Sequence, residues 1–152
     1  MEIERKFLVP TLPKLDASLA KKQIQQGYVS TSPVVRIRQS NDDYILTCKG
    51  KGLIAREEFE LSMTKDEYDH LATKLDFPLI KKTRYLMPYG PFTIELDVFD
   101  GHLKGLQLAE VEFSSLEIAN SFTPPHWFGL DVTLDPRYQN NQLSKLTSLD
   151  DL

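Results

Sequence analysis

Met1-Glu2-Ile3-Glu4-Arg5-Lys6-Phe7-Leu8-Val9 is the stretch whose reading decides the fold. In an extended chain successive side chains point to opposite faces, so Glu2, Glu4 and Lys6 share one face and Ile3, Arg5 and Phe7 the other. One such charged face is what an ordinary half-buried strand shows to water. At least five later segments repeat the grammar, with charged residues at every second position and apolar or aromatic residues between them. Repetition through most of the strands points to a sheet curled around a charged interior.

Working outward, Pro10 and Pro13 end the first strand, and residues 12–22 read as a short helix or an irregular connection. A second strand over 23–30 puts Ile24, Gln26 and Tyr28 on one face. Residues 34–39 place Arg36 and Arg38 opposite Val35 and Ile37. Asn41-Asp42-Asp43 is a hairpin turn into a return strand carrying Ile45, Thr47 and Lys49. Residues 55–61 align Arg56, Glu58 and Glu60. Thr64 and Glu67 form a capping-box signature for a helix over 65–75 with an apolar stripe of Tyr68, Leu71, Ala72 and Leu75. Strands over 79–87, 92–99 and 106–114 then align Lys82 with Arg84, Glu95 with Asp97, and Leu108 with Glu110 and Glu112. A short helix over 116–121, an outer plug of Trp127, Phe128 and Leu130, and a last helix over 139–146 complete the chain. Residues 147–152 read as a flexible tail.

The chain has 152 residues, 41% hydrophobic and 26% charged, which fits one globular domain over 1–152 with a substantial core. A net charge of −4 argues against nucleic-acid binding through a diffuse basic surface. Cys48 is the only cysteine, so neither a disulfide nor a zinc framework is available, and its apolar neighbours make it a structural thiol. No apolar run approaches the roughly 20 residues of a membrane span. A motif starting at the second residue leaves no room for a leader, and a cytoplasmic protein is expected.

Strand parity sends Glu2, Glu4, Glu58, Glu60, Glu95, Asp97, Glu110 and Glu112 inward together with Lys6, Arg36, Arg38, Lys49, Lys82 and Arg84. Small barrels ordinarily fill their interiors with apolar side chains, and buried uncompensated charge is costly. A self-neutralising structural network is one solution. A wet cavity that binds a ligand is the other, and the residue types favour it. Paired glutamates are hard oxygen ligands for Mg²⁺ or Mn²⁺, and lysines and arginines suit phosphate oxygens. A ligand that needs both is a metal-bound polyphosphate, and the matching chemistry is phosphoryl transfer.

The ordered set Glu2-x-Glu4-x-Lys6, Gln26-Gly27-Tyr28, Arg36-x-Arg38, Lys49, Arg56-x-Glu58-x-Glu60, Lys82-x-Arg84, Glu95-x-Asp97 and Glu110-x-Glu112 resembles the CYTH superfamily, the triphosphate tunnel metalloenzymes. Trp127-x-Gly129 and Arg137-Tyr138-x-Asn140 resemble its short bacterial members, the inorganic triphosphatases. The resemblance implies an α+β fold built on an eight-stranded antiparallel β-barrel with flanking helices. It implies phosphate binding by Lys6, Arg36, Arg38, Lys49, Lys82 and Arg84, and metal binding by Glu2, Glu4 and one of Glu110 and Glu112. The other of that pair, with Glu58 or Glu60 and Asp97, would serve a second Mg²⁺ or Mn²⁺ and its water. Tyr28 and Lys49 form a candidate base, the ammonium favouring a phenolate; a hydrogen bond from Tyr28 to ligand is the alternative role.

Fold alone does not choose an activity. The short 9–23 connection and the lack of an aromatic pair at the mouth favour inorganic tripolyphosphate, cut to diphosphate and phosphate. A nucleoside or thiamine triphosphatase, an adenylyl cyclase and a non-catalytic polyphosphate or nucleotide binder are the alternatives. The expected partner is thus a small-molecule triphosphate, with no nucleic acid or membrane, and a homodimer stays open.

Overall fold

A computed structural model describes residues 1–152. Nine strands form one antiparallel sheet in the order β5-β1-β9-β8-β7-β2-β3-β4-β6. They are β1 (Glu2–Leu8), β2 (Ala20–Thr31), β3 (Val34–Ser40), β4 (Asp43–Lys49), β5 (Ala55–Arg56), β6 (Glu58–Met63), β7 (Ile80–Tyr89), β8 (Phe92–Phe99) and β9 (Gln107–Glu112). The two edge strands are neighbours in sequence, separated by Glu57 alone. Arg56 pairs with Glu2 on β1, and Glu58 pairs with Lys49 on β4. The 55–63 segment thereby bridges both sheet edges and nearly closes the barrel, which removes the exposed edges an open sheet would carry. Counted through Glu57 as one strand, it gives the expected eight.

The helices are few and short. Helix α1 (Lys65–Ala72) starts with the full capping box of Thr64 and Glu67 and ends earlier than its apolar stripe suggests. It covers the outer side of β3 and β4, where Tyr68 packs on Tyr44 with ring centroids 5.2 Å apart. Cys48 is half-buried, free and on the same outer side, paired across strands with Phe59. Helix α2 (Leu116–Ser121) lies against β1. Helix α3 (Asn140–Leu143) is half the expected length.

Two apolar clusters hold the barrel. The first lies outside it, where Phe7, Ile94, Leu96, Ala109 and Val111 meet Phe113, Ala119 and Phe122, with Trp127 and Phe128 packed on them. Leu130, expected in that plug, is 69% exposed. The second cluster fills one end of the interior. Ile80, Phe99 and Leu108 continue the inward faces of β7, β8 and β9, and Val132 and Leu143 of the C-terminal segment pack onto them. Fully burying each such side chain contributes about 1.5–3 kcal/mol. Residues 147–152 differ from the expected flexible tail. Ser148 caps a 3-10 turn over Leu149–Asp151, and Leu149 and Leu152 lie on the second cluster, because leucines three apart offer that cluster one apolar edge.

The C-terminal segment is tied to β1 by its backbone. Val132 N–H donates to Lys6 O (2.9 Å), Gly129 N–H donates to Leu8 O (2.6 Å), and Lys6 N–H donates to Thr133 Oγ1 (3.0 Å). Arg5 adds an ion pair to Asp131 at 2.8 Å. Gly129 allows this approach: a Cβ there would stand 2.9 Å from Pro10 Cδ and 3.0 Å from Leu8 O. Gly129→Ala is expected to lower stability by about 1–3 kcal/mol, the usual cost of overpacking. A thermal melt equal to wild type would show that the segment yields without cost.

Candidate active site

The remaining interior is a cavity of about 670 Å³ lined by 22 residues, of which 5 are hydrophobic. The alternating pattern of the sequence places this lining directly. Glu2, Glu4 and Lys6 enter from β1, Tyr28 from β2, Arg36 and Arg38 from β3, and Lys49 from β4. Glu58 and Glu60 enter from β6, Arg84 from β7, and Glu110 and Glu112 from β9. Lys6 and Glu110 face each other across strands, as do Glu4 and Glu112, and Tyr28 and Arg36.

The ion pairs of the cavity engage only some of its carboxylates. Lys49 Nζ is 2.9 Å and Arg56 Nε 3.5 Å from Glu2 Oε1, Lys6 Nζ is 3.4 Å from Glu110 Oε1, and Arg84 Nη1 is 2.9 Å from Glu95 Oε2. Glu4, Glu58, Glu60 and Glu112 have no lysine or arginine within the 4.0 Å ion-pair distance. Burial, with Glu110 and Glu2 nearby, pushes Glu4 up to about 8 despite Lys6. Burial and hydrogen bonding to Glu60 and Glu2 push Glu58 up to about 7. Glu112 is raised by burial and by Glu2 and Glu95. Burial opposes the charge of Glu110 too, but Lys6 and Arg84 overcome it and hold this carboxyl well below its usual range.

The arginines of β3 show the opposite imbalance. Arg36 donates from Nη2 to Thr47 Oγ1 at 3.3 Å and leaves its buried Nε unpartnered. Arg38 donates from Nε to Gln26 Oε1 at 2.7 Å. Both partners are neutral. Burial, with Arg36 and Arg84 close by, lowers Arg38 to about 9. The cavity therefore holds glutamates without cations and arginines without anions.

Two expected ligands sit elsewhere. Lys82 and Asp97 are 1% and 0% exposed and line no part of the cavity. Lys82 Nζ lies 2.7 Å from Asp97 Oδ2, and Arg84 donates to Asp97 from Nε to Oδ1 (2.8 Å) and from Nη2 to Oδ2 (2.9 Å). Both oxygens of Asp97 are thus taken by the protein's own cations, so in this structure neither Asp97, expected to serve metal, nor Lys82, expected to hold phosphate, faces the cavity. Burial lowers Lys82 to about 7, with Asp97 opposing. Parity assigns their face correctly but not their depth along the barrel. The expected pairing of Lys49 with Tyr28 differs as well: both line the cavity, but Lys49 Nζ donates to Glu2 Oε1.

Ten lining residues have no role assigned from the sequence, among them Glu95, Arg56, Lys22, Asn140 and Asn141. Glu95 and Arg56 are visible by parity, and Lys22 extends the β2 face beyond its expected start. Asn140 and Asn141 carry no periodic signal, because they reach the cavity only through the docking of the C-terminal segment.

The donor set suits a hard divalent cation, since ionised glutamates are oxygen acceptors only. No three acidic side chains converge closely enough to hold a metal ion between them, which is consistent with Glu2 and Glu110 being drawn to lysine and arginine. No helix is long and apolar enough to cross a membrane.

Known proteins are similar to this chain in sequence and fold. Residues 1–122 match the family model described as CYTH domain. The chain is 43% identical over 148 residues to an inorganic triphosphatase of Nitrosomonas europaea, covering 94% of this chain and 96% of that one. It is 39% identical over 151 residues to an inorganic triphosphatase of Acetivibrio thermocellus, covering 95% and 93%. The crystal structure of an inorganic triphosphatase superposes with a TM-score of 0.73 at 38% identity, covering 97% of both chains. With most of its length matched by the family model and nearly all of it by these relatives, the chain belongs to the CYTH domain family.

Proposed function

We propose that this protein is a metal-dependent inorganic triphosphatase that hydrolyses tripolyphosphate to diphosphate and phosphate. The observation that carries the reading is the double imbalance of the cavity: Arg36 and Arg38 lack anions while Glu4, Glu58, Glu60 and Glu112 lack cations. A triphosphate with bound divalent metal supplies both missing charges at once. The identity of the two inorganic triphosphatases over nearly the whole chain supports the same substrate.

Arg36 and Arg38 bind the phosphate oxygens, Arg in a fork geometry that a point charge cannot reproduce. Lys6, beside Glu110, and Arg84, held by Asp97 and Glu95, extend this cradle across the cavity, and Lys49, held by Glu2, completes it. Glu4 and Glu112, paired across β1 and β9, with Glu2, Glu110, Glu58 and Glu60 are the residues that would hold Mg²⁺ or Mn²⁺. When bound, such a cation supplies charge neutralisation and an activated water. Tyr28 lines the cavity, paired across strands with Arg36, and would serve as base or orienter of the attacking water.

The test is phosphate release from tripolyphosphate, ATP and thiamine triphosphate, each with Mg²⁺, Mn²⁺ or chelator, using protein with a free N-terminus because Glu2 lines the cavity. Strong preference for tripolyphosphate, lost in chelator, is the expected result. Release from none of them would overturn the reading. Tyr28→Phe is expected to lower kcat about 100-fold, within the usual range for a general base, with KM little changed. A rise in KM alone would make Tyr28 a binding residue.

A further inference from the structure

We infer that Asn140 and Asn141 form a neutral end wall that hydrogen-bonds the leading phosphoryl group of the substrate. This rests on the triphosphatase reading and adds a binding element that lies beyond the residues 1–122 matched by the family model. Both asparagines line the cavity, and Asn141 is only 9% exposed. The buried Oδ1 of Asn140 has no hydrogen-bond partner in the protein. Neither carboxamide is used to cap its own helix, since Gln139 occupies the cap position without a side-chain bond. That oxygen is an acceptor and needs a donor such as water; the side-chain N–H groups of Asn140 and Asn141 make no hydrogen bond within the protein and are the groups free to donate to a ligand in the cavity.

The position of this wall is fixed. Thr133, Val132 and Asp131 anchor the segment to Lys6 and Arg5, and Lys6 Nζ donates to Tyr138 O at 2.9 Å. Val132 and Leu143 are buried in the cluster that closes this end of the barrel. A linear phosphate chain therefore enters from the opposite, charged rim and brings its leading phosphoryl group against the wall. Carboxamide N–H groups suit that position. They donate to phosphate oxygens, and they add no further positive charge to a cavity end where Lys6 is already engaged by Glu110.

The test uses Asn140→Ala, Asn141→Ala, Asn140→Asp and Asn141→Asp in the full chain, with KM and kcat for tripolyphosphate and calorimetric binding of tripolyphosphate without metal. Each alanine variant is expected to weaken binding and raise KM about tenfold, the effect of losing one hydrogen bond to a charged group. The aspartates preserve shape but place an anion against phosphate, so they are expected to weaken binding further than the alanines. A structural role would show the reverse order, with the isosteric aspartates closer to wild type, and that result would overturn the inference, as would unchanged binding in all four. Wild-type protein that binds tripolyphosphate at this wall but does not cleave it would overturn the triphosphatase reading and leave the end wall standing. If an alanine variant does not fold, the isosteric aspartate at the same position decides alone against wild type.

Discussion

Glu4→Gln is expected to reduce turnover by at least about a thousandfold while the protein melts at or above the wild-type temperature. The two halves of this outcome have one cause. Glu4 stands across from Glu112, close to Glu2 and Glu110, with no lysine or arginine at ion-pair distance. In the metal-free protein its charge is therefore a liability, and glutamine keeps the shape while removing the repulsion. Under turnover conditions the same charge is what would attract the divalent cation, and an amide oxygen is a much weaker partner for it. A site that destabilises its own fold in order to bind is a familiar trade between activity and stability. Metal-induced stabilisation offers a readout independent of catalysis: Mg²⁺ or Mn²⁺ should raise the melting temperature of wild type and do so much less in the variant. Wild-type turnover in Glu4→Gln would sink the assignment of Glu4 to metal. A large loss of stability would instead mean that Glu4 supports the fold through a contact other than charge.

The alternation in residues 1–9 is enough to reveal the charged interior, because a period of two assigns faces regardless of tertiary context. The same period, followed through the later strands, places Glu4, Lys6, Arg36, Arg38, Glu58 and Glu110 around one cavity. Two kinds of information are absent from it. Depth along the barrel axis is set by register between strands. Lys82 pairs with Phe99 and Asp97 with Leu108, both members of the buried end cluster, so Lys82 and Asp97 end below the cavity although their neighbours Arg84 and Glu95 line it. The second missing element is docking. Asp131, Thr133, Asn140 and Asn141 show no periodicity, and their place at the end of the barrel depends on backbone bonds to Lys6 and Leu8 and on two buried apolar anchors, Val132 and Leu143. Short polar stretches whose position is fixed by partners far away in sequence leave no local trace. The break at Glu57 is of the same kind: nothing in 55–63 marks that the strand changes partner from β1 to β4.

Asp97→Asn is expected to cost about 3–5 kcal/mol of stability, the usual effect of removing one partner of a buried ion pair. Asparagine fits the same space, but it leaves Arg84 with Glu95 and a distant Glu110 at 3.9 Å, and Lys82 with no carboxylate at ion-pair distance. Lys82 can respond by losing its proton, since burial already holds it low. Arg84 cannot, and burial makes the loss of its bidentate partner expensive even with Glu95 still in place. Activity should fall as well, because Asp97 fixes Nε and Nη2 of Arg84 and so aims the guanidinium that lines the cavity. The character of the loss separates this role from metal binding. If Asp97 were a metal ligand, raising Mg²⁺ or Mn²⁺ would restore much of the activity, and the metal-free protein would be as stable as wild type or more so, as expected for Glu4→Gln. With Asp97 as the anchor of Arg84, metal restores nothing, the metal-free protein melts lower, and the defect appears chiefly as weaker binding of tripolyphosphate. Opposite signs of the stability change at Glu4 and Asp97, two inward carboxylates that the strand pattern cannot tell apart, would follow directly from which of them the protein has already paired.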